Sequence, residues 1–182
     1  WYSRMFRIYT QDIREEYVNK GKFIDVGIAE ENAVGMISGI AKNGGIPVFG
    51  TFAPFLQRVY DQVSHDLCLN DNPAVILAIN PGVYGMNSDT HIALCDIQEF
   101  RHIPNFTYLA PATKKEYNDA LKFSTTISKH PVGIRVPNIW CELDNDNHTD
   151  FTKNMCVLSG SDVAITAVGP MLKMAVDVAK SI

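Results

Sequence analysis

Ala74-Val75-Ile76-Leu77-Ala78-Ile79 is an unbroken apolar run between the turn Asp71-Asn72-Pro73 and the loop start Asn80-Pro81-Gly82. Bounded on both sides by turn residues, it is too short for an ordinary helix. It also lacks the polar-apolar alternation of a strand with one wet face. It therefore reads as a strand covered on both faces, as in a parallel sheet between two layers of helices. The flanking sequence agrees. Strand patterns are expected over 23–28, 46–52, 106–110, 132–136 and 162–169. Helical spacing is expected over 1–17, 30–42, 55–69, 113–129 and 171–182. Asn43-Gly44-Gly45 is a stop signal for the 30–42 helix, and Thr113 with Glu116 forms a capping box. Strand-helix alternation predicts an α/β fold with a three-layer, doubly wound, mostly parallel sheet.

Composition bounds the function. A chain of 182 residues can bury a core without disulfides or metals. The net charge of −4 and pI near 5.7, with no basic stripe, exclude a phosphate-backbone binder, so no nucleic-acid partner is expected. The longest apolar stretch, 73–79, is far too short to cross a bilayer, so no membrane association is expected. Cys68, Cys95, Cys141 and Cys156 are dispersed and form no CxxC pair. They read as reduced thiols, and no metal site is expected from them. With no basic-then-apolar leader, the chain reads as cytoplasmic.

In open α/β sheets ligands bind beyond the carboxyl ends of the strands. Glu30, Phe52, Phe55, Arg58, Asn80, Asn87, Asp89, His91 and Arg135 fall there. Each has an ordinary alternative. Glu30 is also a good helix-start charge. Phe52 and Phe55 would suit a core, and Arg58 a solvated helix face. His91 would suit a structural loop bond, and Arg135 a strand-end ion pair.

The ordered motifs go further. Asp25-Val26-Gly27-Ile28-Ala29-Glu30-Glu31-Asn32-Ala33-Val34-Gly35 resembles the pyrimidine-domain motif of the transketolase family. Thr51-Phe52-Ala53-Pro54-Phe55-Leu56-Gln57-Arg58-Val59-Tyr60-Asp61-Gln62 is similar to the segment that follows it in the 1-deoxy-D-xylulose-5-phosphate synthase branch. Thr90-His91 with Asp96, Arg101-His102-Ile103-Pro104-Asn105 and Gly133-Ile134-Arg135-Val136-Pro137 fit the same branch. The resemblance spans about residues 20–138 and resumes near 160.

It implies a thiamine-diphosphate-dependent transferase. Glu30 would activate the cofactor by a hydrogen bond to its aminopyrimidine ring. Phe55 would stack on that ring, with Phe52 and Arg58 beside it. His91 would be catalytic, and Arg135, Asn87 and His91 would contact substrate. The substrates implied are pyruvate and a sugar phosphate, glyceraldehyde 3-phosphate, in the isoprenoid precursor pathway. The alternatives are the C-terminal half of a transketolase moving two-carbon ketol units, and a non-catalytic assembly module.

The chain departs from the family at three places. Asn80-Pro81-Gly82 replaces a longer, arginine-bearing stretch. Asn87-Ser88 replaces an Asp-Gly pair, and Asn32 a histidine. No Gly-Asp-Gly occurs, so the diphosphate and Mg²⁺ would be bound by a domain or subunit outside this chain, within a homodimer. Residues 1–140 are expected to form the pyrimidine-binding domain and 141–160 a linker. Residues 161–182 would open a transketolase C-terminal domain, and the chain alone is expected to be inactive.

Overall fold

The computed structural model describes residues 18, 20–83, 89–142, 150–151 and 153–182. Four strands, β1 (Val48–Phe52), β2 (Val75–Ile79), β3 (Thr107–Leu109) and β4 (Val132–Val136), form one sheet in the order β1-β2-β4-β3. Every pairing is parallel. The ends are level, with Phe52 opposite Ile79 and Ile79 opposite Val136. Among the described residues, five helical elements accompany the sheet, besides a short 3₁₀ turn at Asp89–His91. They are α1 (Glu30–Lys42), a composite α2, α3 (Asp96–Phe100), α4 (Lys114–Thr126) and α5 (Met171–Ala179). Within α2, a 3₁₀ stretch (Ala53–Val59) leads into an α turn (Tyr60–Gln62) and a π stretch (Val63–Leu69).

The apolar run of β2 behaves as its composition requires. Ala74, Ile76 and Ala78 join one core cluster with Ala33, Val34 and Ile37 of α1 and Leu56, Val63 and Leu67 of α2. Val75 joins a second cluster with Ala120 of α4, against which Leu77 packs. Successive side chains of a strand point to opposite faces, so a wholly apolar strand implies helices on both. The sheet accordingly has α1 and α2 against one core and α4 against the other. Beside β4, Phe106 and Tyr108 stack with ring centroids 5.9 Å apart. They leave room only for glycine at position 133, where a Cβ would sit 2.5 Å from the Tyr108 ring.

Local chemistry sets the helix ends. Thr113 Oγ1 accepts the Glu116 N–H at 3.0 Å, and the Glu116 carboxylate accepts the Ala112 N–H at 2.6 Å. The first bond is that of the expected capping box at the start of α4, and the second reaches back to the N–H one residue before the cap. The wide π turn of α2 leaves the Asp66 carbonyl to side chains. Ser38 Oγ donates to it at 2.6 Å, and Asn72 Nδ2 donates to Ser38 Oγ at 2.9 Å, tying α2 to α1.

Several expectations need correction. Residues 23–28 are not a ladder strand. The Gly27 N–H is taken by the Asp25 carboxylate at 3.0 Å, and Gly27 sits at φ 65°, which turns the chain before α1. Residues 162–169 run without a ladder partner, with Val163 and Val168 exposed. The loop expected over 80–94 contains a 3₁₀ turn, Asp89–His91, α3 follows it where no element was expected, and the helix expected to reach 129 ends at Thr126. At the start of the expected linker, Cys141 is buried and its N–H donates to the Ala112 carbonyl at 2.8 Å. The helix expected over 1–17 lies outside the described residues.

Candidate functional site

The site gathers beyond the carboxyl end of β1, from the start of α1 (Glu30), the last residue of β1 (Phe52), the first stretch of α2 (Phe55 and Arg58) and the 3₁₀ turn Asp89–His91 that follows β2. In open α/β sheets ligands bind beyond the carboxyl ends of the strands. Glu30 is the first residue of α1, and its side chain is only 4% exposed. It borders a groove of about 770 Å³ between residues 21–27 and β1. Burying a carboxylate is costly without a partner. Here the partner is Arg58, whose Nη1 lies 3.3 Å from Glu30 Oε2, while its Nη2 lies 3.5 Å from Glu31 Oε1.

A 3₁₀ helix has three residues per turn, so residues i and i+3 eclipse. That places Phe55 and Arg58 on one side of the first stretch of α2, with Phe52 three residues earlier at its N-cap. The Phe52 and Phe55 rings meet edge-on at 6.5 Å. His91 completes the cluster, with its ring 5.1 Å from Phe55 at 89° and 6.2 Å from Phe52. Thr90 Oγ1 holds His91 Nδ1 at 2.9 Å. Glu30 with Arg58, and Phe52 with Phe55 and His91, thus form two groups, one ionic and one aromatic, both anchored on the first stretch of α2.

Arg135 is engaged elsewhere. Its Nε donates to Asp96 Oδ2 at 2.7 Å and its Nη2 to Asp96 Oδ1 at 3.3 Å. Tyr108 Oη donates to Asp96 Oδ2 at 2.8 Å. Burial, reinforced by the Asp96 charge, holds the Tyr108 phenol protonated well above its ordinary range. Asp96 is 2% exposed, so this triad is an internal brace between α3 and the sheet. Sequence reasoning gave Asp96 only as part of a motif and gave Tyr108 no part at all. No spacing signal links residues so far apart. Asn87 lies outside the described residues.

A buried acid and an aromatic cluster thus stand at the strand ends of a domain of the parallel α/β class. The comparisons specify which. The family model "Transketolase, pyrimidine binding domain" matches residues 5–139, and the chain belongs to that family. It is 36% identical over 165 residues to a 1-deoxy-D-xylulose-5-phosphate synthase from Natranaerobius thermophilus, covering 87% of this chain and 26% of that protein. A synthase of the same name from Clostridium botulinum is 38% identical over 158 residues, covering 85% and 25%. The chain therefore spans about a quarter of the length of the curated relatives it matches.

Among solved structures, a protein described as a split gene transketolase, inactive beta4 tetramer, aligns with a TM-score of 0.79 at 27% identity. That alignment covers 89% of this chain and 52% of the other. A transketolase mutant from Pichia stipitis shares the fold, with a TM-score of 0.78 at 23% identity over 88% of this chain and 25% of that one.

Proposed function

We propose that this chain supplies the aminopyrimidine side of a thiamine-diphosphate site in an enzyme of the 1-deoxy-D-xylulose-5-phosphate synthase type. The observation that carries the reading is the near-complete burial of the Glu30 carboxylate at the start of α1, paired with Arg58, which stands one 3₁₀ turn from Phe55 of the aromatic cluster. The residues fit the cofactor. Glu30 offers a carboxyl group to a ring nitrogen, and Phe55 offers a flat apolar face for stacking. When bound, thiamine diphosphate supplies a carbanion that adds to a carbonyl carbon. Glu30 holds the ring-directed proton, Phe52 and Phe55 exclude water, and His91 moves a proton at the substrate oxygen.

Arg58 is assigned to the ring side of the cofactor, and Asn87 and His91 to substrate binding. Arg135, braced by Asp96, orders the wall of the substrate pocket. The reaction is the condensation of pyruvate with glyceraldehyde 3-phosphate, with loss of CO₂. The higher identity to synthases than to the split-gene transketolase supports this over ketol transfer. The diphosphate and Mg²⁺ are held by a partner domain or subunit, because no Gly-Asp-Gly is present. The chain alone is inactive and works within a homodimeric assembly in the cytoplasm. Residues 1–140 form the pyrimidine domain, 141–160 connect, and 161–182 begin a transketolase C-terminal domain.

The test uses the chain assembled with its diphosphate-binding partner. Exchange of the thiazolium C2 proton, followed by NMR, falls about 100-fold or more in Glu30→Gln. An unchanged rate removes Glu30 from cofactor activation. CO₂ release from pyruvate marks the synthase reaction, and ketol transfer without decarboxylation sinks it.

A further inference from the structure

We infer that Arg58 is a releasable counter-ion that occupies Glu30 until an aminopyrimidine ring takes its place, so that the cation and the ring compete for one carboxylate. The inference rests on the reading of Glu30 above. Four observations lead to it.

First, the two partners are unequal. The Glu30 side chain is 4% exposed, whereas that of Arg58 is 47% exposed. The acid is fixed in the wall, and the cation reaches in from solvent. A carboxylate so buried needs a counter-charge or a proton.

Second, the contact is loose. Arg58 places a single nitrogen on Glu30 at 3.3 Å, not the paired short bonds of a forked arginine-carboxylate clamp. The brace between Arg135 and Asp96, with two nitrogens and a shortest distance of 2.7 Å, shows what a permanent pair looks like in the same molecule.

Third, Arg58 has somewhere to go. Glu31, half-exposed beside it, already lies 3.5 Å from the other guanidinium nitrogen as a second ion-pair partner. A small rotation transfers the cation from the buried acid to the exposed one without stranding its charge.

Fourth, Arg58 eclipses Phe55 on the 3₁₀ stretch of α2. A flat ring that stacks on Phe55 and points a nitrogen at Glu30 therefore enters the space next to the guanidinium. Once the ring hydrogen-bonds Glu30, the carboxyl group no longer needs the cation. Arg58 thus neutralises the acid until the ring binds and yields it on binding.

The experiment is a titration of the full chain with 4-amino-5-hydroxymethyl-2-methylpyrimidine, which carries no phosphate and so needs no partner domain. Binding is followed by the ring resonances of Phe55 and His91. Arg58→Met tightens binding about fivefold, the size expected for removing one modest ion pair as competitor. Arg58→Lys, which keeps the charge, stays within about twofold of the parent. In a Glu30→Gln background the effect of Arg58→Met vanishes, because the competition runs through that carboxylate.

Unchanged or weakened binding in Arg58→Met overturns the inference, as does equal tightening when Glu30 is Gln. Absence of binding in every variant overturns it too. The cofactor reading fails separately, if Glu30→Gln alone leaves the affinity of the parent chain unaltered.

Discussion

Asp96 and Glu30 are both carboxylates buried to a few per cent, yet their surroundings give them different work. Asp96 accepts two bonds from Arg135 and one from Tyr108, which satisfies a charge inside a fixed brace. Removing one partner of such a pair leaves the other charge buried and uncompensated. Asp96→Ala should therefore cost about 3–5 kcal/mol, measured as unfolding free energy in denaturant. The double variant Asp96→Ala, Arg135→Met should recover part of that loss, and a loss under about 1 kcal/mol in the single variant would show that Arg135 does not depend on Asp96. The residue types at this scale were legible in the sequence, but their pairings were not. Arg135 looked equally suited to a strand-end ion pair or an anion, because its partner lies 39 positions away. Glu30 and Arg58, 28 positions apart, were read individually as site residues, while the bond between them emerged only from the fold.

The elements that the sequence marked best are those whose signals are local. Thr113 and Glu116 sit three residues apart and cap α4 as their spacing predicts, since both bonds close within one turn. Thr113→Ala removes the acceptor for the Glu116 N–H and should cost about 1 kcal/mol. That corresponds to a melting point about 2–4 °C lower by calorimetry, and no shift would mean the helix start is held by other contacts. Strands are different, because a strand is defined by its neighbours. Residues 23–28 and 162–169 both carry β-prone side chains, yet neither has a ladder partner among the described residues. In the first, Gly27 at φ 65° and the Asp25 side chain supply a local turn that competes with extension. α3 escaped notice for the opposite reason: five residues are too few to display helical periodicity.

At the scale of the whole molecule, the doubly wound class followed from the two-sided β2 run, but the order β1-β2-β4-β3 did not. Strand order depends on which helix covers which face, and patterning shows only that both faces are covered. The same sheet shows where the self-sufficient part of the chain lies. Every ladder pairing of the sheet lies among the four strands between residues 48 and 136, and the buried residues of both core clusters lie between 33 and 134. The C-terminal stretch contributes differently. No residue of α5 is buried, and Val163, Val168 and Met174 are all more than half exposed. Among the described residues, Cys141 Sγ donates to the Pro170 carbonyl at 3.2 Å, a weak thiol contact between this stretch and the sheet domain. A chain ending at residue 158 should therefore keep a single cooperative unfolding transition, with a melting point within about 4 °C of the parent. It should also bind less of a hydrophobic dye, because the exposed apolar side chains of 163–178 are gone. A broad, non-cooperative melt would instead mean that the last strand-helix pair is part of the same folding unit as the sheet.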